Sequence, residues 1–322
     1  MEQTAVEKKF GKYVMASMIT MFLQSAYSMI DGLFVSNLIG DTALSAVNVA
    51  WPVIAVVTAI GTGVGCGGAV MMSTKQGEGK NEESNIVRAN VILALLASSI
   101  VVTILFLVLL TPLLKLMGAE GELLRLSQIY GRVMLTGGVL QILSCGLTPL
   151  LRNDNRAVSA MMIMVGGLFA NLGLDFVFMY VFHMGIGGAA GASLCAQLFT
   201  TVCCLMILCT KKTDPIRLSQ FMIRKEYWKK IFKTAVSPFG ISLTPSLLIL
   251  YHNVACLKFG GDLAVNAYAL ISSTVGSYRV LLIGVAEGIQ PLASYAYGAH
   301  DFHAIRKIRN KAVITAIGVS FF

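Results

Sequence analysis

The chain alternates long apolar runs with short polar segments, and these polar segments contain most of the Lys and Arg residues. Each apolar run approaches or exceeds about 20 residues, the length that an α-helix needs to cross the hydrocarbon of a bilayer. Strands of a membrane barrel would instead alternate polar and apolar positions over about ten residues. The pattern therefore predicts eight membrane helices and the start of a ninth near residue 312. The eight spans are 11–37, 46–72, 89–113, 126–151, 157–182, 188–209, 232–257 and 265–297.

The composition agrees with an all-α integral membrane protein. Hydrophobic residues make up 56% of the chain and charged residues only 13%, whereas soluble domains carry about a quarter charged residues. The seven cysteines lie in apolar runs without metal-binding spacing, so we interpret them as small buried hydrophobes. The first apolar run exceeds twenty residues, which is longer than the core of a signal peptide. We interpret it as the first membrane helix.

The distribution of basic residues predicts the orientation. Of the 25 Lys and Arg residues, 20 lie on the side of the predicted bundle that contains the N-terminus, which places that terminus in the cytoplasm. The net charge of +9 therefore reflects topology and not a nucleic-acid partner. The most basic segment, 211–231, could bind acidic lipid headgroups, but we interpret it as a topological linker between two halves.

An internal repeat relates those halves. Shifted by 221 residues, "GDTALSAV" (40–47) lies over "GDLAVNAY" (261–268), and matching glycines continue without a gap. Both copies begin on the same side of the membrane, so the repeat is parallel. The predicted architecture is two six-helix lobes of which the second is incomplete, and we expect that the 322-residue chain alone does not transport. The predicted units are a first lobe (1–210), a basic linker (211–231) and a partial second lobe with spans 7, 8 and the start of 9 (232–322).

Three acids lie inside predicted spans, where a carboxylate is costly and usually marks a pathway or a proton relay. Asp31 and Asp175 lie at similar depth in the outer half of the first lobe, whereas Glu287 lies nearer the cytoplasm. Asn171 is one helical turn before Asp175 on the same face, and Ser193 has a similar depth in span 6. We expect these four outer groups to form one site.

Such a site suits ion exchange. Low dielectric favours the neutral carboxyl group, which donates a hydrogen bond, while the ionised group attracts a cation. A proton, or Na⁺ held by Asp31, Asn171 and Asp175, could thus exchange for a cationic substrate. The alternative is that the two acids only satisfy interhelical hydrogen bonds.

Three further residues are possible accessory groups. The repeat places His252 over Asp31, so His252 could be a protonatable group of the second lobe or a packing residue. Glu287 could take part in transport, or it could pair with Arg279 or another residue of the lobe.

Taken in order, several motifs resemble the MATE family of multidrug and toxin extrusion transporters, particularly its DinF-like and MepA-like bacterial branch. The motifs are "SMIDGLFVSNLIGDTALSAVNVAWP" (28–52), "GEGKNEESN" (77–85), "NLGLDFVFMYVFHMGIGGAAGASLCAQ" (171–197) and "GIQPLASYAYGAHD" (288–301).

The resemblance implies two lobes around a cavity that opens alternately to either side of a bacterial inner membrane. It implies a multi-pass antiporter that exports organic cations, is driven by H⁺ or Na⁺, needs no cofactor and is monomeric at full length. The family's cation site then falls on Asp31, Asn171 and Asp175, with Ser193 where the family usually has Thr. The span 7 acid of the NorM-like branch is absent here.

Three alternatives remain. A flippase for lipid-linked oligosaccharides would line its cavity with several basic residues. Here only Arg279 lies deep within a predicted span; the other basic residues lie at or near span ends. An intramembrane enzyme would need a nucleophile and base or metal ligands at helical spacing, and we find no such motif. The chain could also be an inactive fragment.

Overall fold

The computed structural model describes residues 3–209 and 220–321, and every regular element in those ranges is helical. A kink at Arg152–Arg156, where Asp154 and Asn155 depart from helical geometry, precedes helix α6, and a short π-helical turn at Phe176–Val181 follows it. The prediction of an all-helical chain is confirmed for the described residues; positions 211–219 of the predicted linker lie outside them. The α-helices are α1 Gln3–Ile39, α2 Asp41–Gly77, α3 Asn81–Leu116, α4 Gly121–Thr136, α5 Gly138–Leu151, α6 Ala157–Asp175, α7 Gly185–Cys209, α8 Lys225–Gly298 and α9 Phe302–Ser320.

Five described stretches are long and apolar enough to cross a membrane. Four of them correspond to predicted spans 1, 2, 3 and 6, while the remaining one joins α5 to α6 through the kink at Arg152–Arg156. Predicted spans 7 and 8 both fall within α8, and the predicted ninth span falls in α9. The stretches are Lys9–Ile39, Asp41–Gly77, Asn81–Leu116, Gly138–Val181 and Gly185–Cys209.

The predicted fourth span is interrupted at Gly137, between α4 and α5. Gly137 packs against Leu194 of α7, and a Cβ atom at this position would force the leucine side chain to move. The break also frees backbone groups that need partners inside a membrane. Gln141 Nε2 donates to the carbonyl oxygen of Met134 and satisfies one of them.

Helix α8 cannot be straight, because both of its ends contact the same part of α2. A Cβ atom at Gly67 would lie 2.7 Å from Ala235 N, and Ser73 Oγ donates to the Pro291 carbonyl at 3.1 Å. Gly67 and Ser73 are about 9 Å apart along α2, whereas a straight helix would separate Ala235 from Pro291 by about 84 Å. The element therefore folds back into two arms, which correspond to predicted spans 7 and 8.

The contacts of these arms with α1 and α2 are reciprocal. Three contacts each occur twice, with both residue numbers exchanged by a shift of 221, which is the relation that a two-fold axis produces. The repeat register read from the sequence therefore agrees with the packing. The reciprocal pairs are Gly63 near Phe239 and Gly284 near Met18, Gly67 near Ala235 and Gly288 near Val14, and Gly77 near Tyr295 and Gly298 near Thr74.

Candidate functional site

Two polar side chains of α6 are buried one helical turn apart. Asn171 Nδ2 donates to Asp175 Oδ2 at 2.9 Å, and this spacing stacks the two residues on one helix face. Asn171 is 5% exposed and Asp175 is 0% exposed. The rest of α6, AVSAMMIMVGGLFANLGLD, is almost entirely apolar. The carboxyl group is therefore held by an amide in a medium of low dielectric.

Tyr130 of α4 connects this pair with the acid of α1. The tyrosine is buried, and it interacts electrostatically with both Asp31 and Asp175. Helices α1, α4 and α6 thus bring two acids and a hydroxyl group into one region, which we call the acid cluster (Asp31, Tyr130, Asn171 and Asp175). Tyr130 is not among the residues predicted from the sequence, because the prediction rests on the depths of acids, amides and short hydroxyl residues. Tyr130 lies nine residues after the start of α4, so a depth comparison that included tyrosine would have found it.

The Asp31 carboxyl group is half-buried, and one of its oxygens is fully enclosed. Within the part of the chain that the structure describes, Asp31 Oδ1 accepts no hydrogen bond. An enclosed carboxylate oxygen without a donor is unfavourable unless the group is protonated or binds a cation. Asp31 therefore has the surroundings expected of a group that takes up a proton or a small cation.

Ser193 lies at the depth of the acid cluster but does not join it by a hydrogen bond. It is eight residues after the start of α7, and Asp31 is eight residues before the end of α1. Both are about 12 Å from those helix ends at 1.5 Å per residue. In ranges 3–209 and 220–321, no hydrogen bond of the half-buried Ser193 hydroxyl is found.

The acid cluster offers only oxygen atoms as ligands for a cation. Carboxylate and amide oxygens suit hard cations and protons, not the transition metals that prefer nitrogen and sulfur. Among the described residues, no group of three or more His, Cys, Asp and Glu side chains has metal-binding geometry.

A second group of buried charges lies on the side of the α2–α3 loop. Arg88 Nη2 donates to Asp154 Oδ1 at 3.1 Å, and Gln76 Nε2 donates to the same oxygen at 3.2 Å. Arg88 is 1% exposed and Asp154 is 2% exposed. Asp154 lies between predicted spans 126–151 and 157–182, and the kink at Arg152–Arg156 buries it in the bundle. A polar cavity of about 520 Å³ adjoins it, lined by Gln76, Gly79, Asn81, Ser84, Asp154, Asn155, Arg156 and Tyr295.

Glu287 is placed beside Arg152 and not beside Arg279. Arg152 Nη1 donates to Glu287 Oε2 at 2.5 Å and also lies 3.4 Å from Ser17 Oγ. The pairing considered in the sequence, Glu287 with Arg279, is therefore replaced by a contact between the first lobe and α8. We call Arg88, Asp154, Arg152 and Glu287 the arginine cluster.

The two remaining accessory candidates are exposed. His252 stacks on Tyr268 with ring centroids 5.0 Å apart, and its Nδ1 atom lies 2.7 Å from the Leu248 carbonyl oxygen. Arg279 is exposed on the second arm of α8. The structure brings Asp31, Asn171 and Asp175 together, and it places Glu287 in the arginine cluster.

Comparisons with known proteins agree with this architecture. The family model described as MatE matches residues 16–177 and 241–322. The multidrug export protein MepA of Staphylococcus aureus (strain N315) is 26% identical over 326 residues, which cover 99% of this chain and 70% of that protein.

Two solved structures share the fold closely. One is described as the outward-facing conformation of a multidrug resistance MATE family transporter of the MOP superfamily; it is 26% identical, with a TM-score of 0.92 over 98% of this chain and 70% of that one. The other is a MOP superfamily transporter from Pyrococcus furiosus Vc1 (DSM3638), for which a reverse polarity of the binding pocket suggests a different function. It matches with the same identity, TM-score and coverage. The predicted fold, a helical membrane bundle of this type, is confirmed.

Proposed function

Since this chain belongs to the MatE family of membrane transporters, we propose that it acts as a secondary active antiporter that exchanges H⁺ or Na⁺ for amphipathic organic cations. The observation that carries the proposal is that two acids of separate helices are enclosed in apolar surroundings: Asp175, hydrogen-bonded to Asn171, and Asp31, whose Oδ1 atom accepts no hydrogen bond from the described residues. Two acids from separate helices in one low-dielectric region form a site that responds strongly to a single positive charge.

The exchange follows from the charge of the two carboxyl groups. When ionised, they attract an organic cation; when protonated, or when Na⁺ occupies the oxygens of Asp31, Asn171 and Asp175, that attraction is lost. Asn171 positions the Asp175 carboxyl group through its 2.9 Å hydrogen bond. The binding of the driving ion and the binding of the substrate are thus mutually exclusive, which is the requirement for antiport.

The packing of the lobes supports alternating access. The reciprocal glycine contacts involve the half of α2 from Gly63 to Gly77, which ends at the α2–α3 loop, and the start of α1 at Val14 and Met18. The two lobes therefore meet on the side of the α2–α3 loop. We infer an outward-open form, closed at the cytoplasmic side, with the acid cluster in its outer half.

The relatives favour export of drugs over movement of lipid-linked sugars. A pyrophosphate site needs basic side chains that are available to the ligand. Arg88 and Arg152 are buried but pair with Asp154 and Glu287, so a flippase for lipid-linked oligosaccharides is the weaker proposal. Cationic drugs fit the acid cluster directly.

Efflux from proteoliposomes tests the proposal. Full-length protein should release preloaded ethidium when an inward H⁺ or Na⁺ gradient is applied, and the double variant Asp31→Asn, Asp175→Asn should abolish the gradient dependence. Glu122→Gln, which removes an exposed acid of α4, is the matched control and should leave efflux unchanged. Full gradient-driven efflux by the double variant would refute the proposed site.

The location and orientation of the protein in the membrane can also be proposed. We propose a monomer in the bacterial inner membrane with a cytoplasmic N-terminus, two lobes (1–210 and 232–322) and a basic linker (211–231) between them. Single cysteines at Glu78 and Glu122, introduced into a cysteine-free protein, test the orientation. An impermeant maleimide added to whole cells should label only the second position, and the opposite result would reverse the topology.

A further inference from the structure

The first three turns of α8 carry three stripes of side chains, each repeating every four residues. One stripe is buried against α2, a second is apolar, exposed at Phe232 and Val236 and half-buried at Trp228, and a third is basic and exposed beside the second. A helix buried inside a protein core would not carry an exposed apolar stripe and an exposed basic stripe. The buried stripe is Ile231 and Ala235, the apolar stripe is Trp228, Phe232 and Val236, and the basic stripe is Lys225, Lys229 and Lys233.

The apolar stripe continues onto the residues before α8. Phe232 is 41% exposed and Val236 is 66% exposed, while Met222 and Ile223 are 67% and 64% exposed. Trp228 packs edge-on against Phe232 with ring centroids 6.1 Å apart. Aromatic residues of this kind collect where a membrane meets water, because their rings are apolar and tolerate the headgroup region.

The start of α8 is level with the end of a membrane helix. Arg224 N donates to Asn90 Oδ1 of α3 at 3.0 Å. Arg88, two residues earlier on α3, interacts electrostatically with Cys209, the last residue of α7. Since α7 is one of the stretches able to span the bilayer, the basic stripe lies near the boundary of the hydrocarbon.

The repeat indicates that a complete second lobe leaves this face exposed. Shifted by 221 residues, Phe232, Lys233 and Val236 correspond to positions 11, 12 and 15 of α1, in the first lobe. Lys12 is exposed and Met15 is 58% exposed, although all six spans of that lobe lie within the described residues. The lysines also match across the repeat: Lys233 falls on Lys12, and Lys229 falls on position 8, which is a lysine as well.

We propose that this face of α8 binds an anionic phospholipid of the cytoplasmic leaflet, with the headgroup phosphate on the basic stripe and the acyl chains along the apolar stripe. The charge of this face suits an anionic headgroup. The acid of this segment, Glu226, is paired with Lys230 at 2.5 Å, so the basic stripe keeps its positive charge. Each lysine near an anionic membrane surface contributes about a fivefold gain in binding. A free phosphate ion would use the basic stripe only, and would leave the apolar stripe without a partner.

Native mass spectrometry of the full-length protein, titrated with dioleoylphosphatidylglycerol or dioleoylphosphatidylcholine, tests the site. The anionic lipid should bind more tightly than the zwitterionic one. The triple variant Lys225→Gln, Lys229→Gln, Lys233→Gln should weaken phosphatidylglycerol binding about fivefold per lysine, while the corresponding Lys→Arg triple variant should retain it. Trp228→Ala should weaken the binding of both lipids, because it shortens the apolar stripe.

A matched control removes three cationic groups from α9: Arg306→Gln, Arg309→Gln, Lys311→Gln. Because the proposed site is on α8, this variant should weaken phosphatidylglycerol binding much less than the α8 triple variant does. The proposal is overturned if both lipids bind equally, if the α9 control weakens binding as much as the α8 variant, or if inorganic phosphate at the same concentration displaces the lipid. Retention of size-exclusion behaviour and thermal stability by the α8 variant would exclude misfolding as the cause of lost binding.

Discussion

The acid cluster and the arginine cluster both bury carboxyl groups, but they hold them with different partners. In the acid cluster, Asp175 accepts from the Asn171 amide and lies near the Tyr130 hydroxyl. In the arginine cluster, Asp154 is paired with the Arg88 guanidinium. Neutral donors tolerate a change in carboxyl charge, whereas a buried guanidinium requires the acid to stay ionised. The partner, and not burial itself, distinguishes an exchange site from a structural one.

The two clusters also differ in the elements that they connect. The acid cluster joins α1, α4 and α6 within the first lobe. The pair Arg152 with Glu287 joins the first lobe to α8, on the side where the glycines bring the lobes together. Replacing single residues in each cluster should therefore separate loss of stability from loss of coupling.

The largest effect on stability is expected for Asp154→Ala. This change leaves the 1% exposed Arg88 guanidinium without its counter-charge, and breaking a buried pair costs about 3–5 kcal/mol. Equilibrium unfolding in mixed micelles measures it. The double variant Arg88→Met, Asp154→Leu, which removes both charges, should recover most of the loss; if it does not, the pair is not the cause.

A smaller loss is expected for Glu287→Gln. The variant keeps the shape of the side chain but removes the charge that faces Arg152, and a hydrogen bond to a charged group contributes about 1.5–3 kcal/mol. The same unfolding measurement applies, with Arg279→Gln as the control. Because Arg279 is exposed, its replacement should change the unfolding free energy by less than about 0.5 kcal/mol. If both variants lower the unfolding free energy equally, the pair of Glu287 with Arg152 does not stabilise the protein.

In the acid cluster, Asn171→Ala should cost only about 1 kcal/mol, the net value of one neutral hydrogen bond. Its effect on transport should be clearer, since Asp175 loses the amide that positions it. Gradient-driven efflux should fall while the protein stays folded, and unchanged efflux would show that the amide has no part in coupling.

Asp31→Asn should leave stability nearly unchanged while it removes coupling. Asp31 Oδ1 accepts no hydrogen bond from the described residues, so the amide loses no bond there and avoids a buried charge. We expect a change in unfolding free energy within about 1 kcal/mol, with either sign. A loss of 3 kcal/mol or more, comparable with Asp154→Ala, would make Asp31 a structural residue.

The smallest effect belongs to an exposed loop acid, Glu78. Hydrogen bonds from Lys75 and then Lys80 lower the pKa of Glu78 below its usual value. A lowered pKa means that this stability is present at neutral pH and is lost as the pH falls below about 4.5. Solvent screening keeps the contribution below about 1 kcal/mol. Glu78→Gln should flatten the acid limb of the stability profile slightly, and 0.5 M NaCl should do the same to the parent protein.

Much of the acid cluster was predictable from sequence. Asp31, Asn171 and Asp175 stand out because carboxyl and amide groups are rare in apolar runs, and helix geometry places residues four apart on one face. Tyr130 was missed because an aromatic residue in such a run is ordinary. Asp154 and Arg152 were missed because they follow the end of an apolar run, where a loop is expected. The kink that buries them leaves no clear sequence signal.

The sequence by itself determined the helical character of the chain, the division of α8 into predicted spans 7 and 8, and the repeat register of 221 residues. Apolar length and periodicity are local properties, and the matched glycines are visible when the two halves are aligned. Only the tertiary structure decided which buried acids face neutral donors and which face arginines, and it alone showed that predicted span 4 breaks at Gly137 into α4 and α5. These outcomes depend on contacts between residues far apart in the chain. Packing and charge pairing together select each partner, and a local sequence pattern does not identify it.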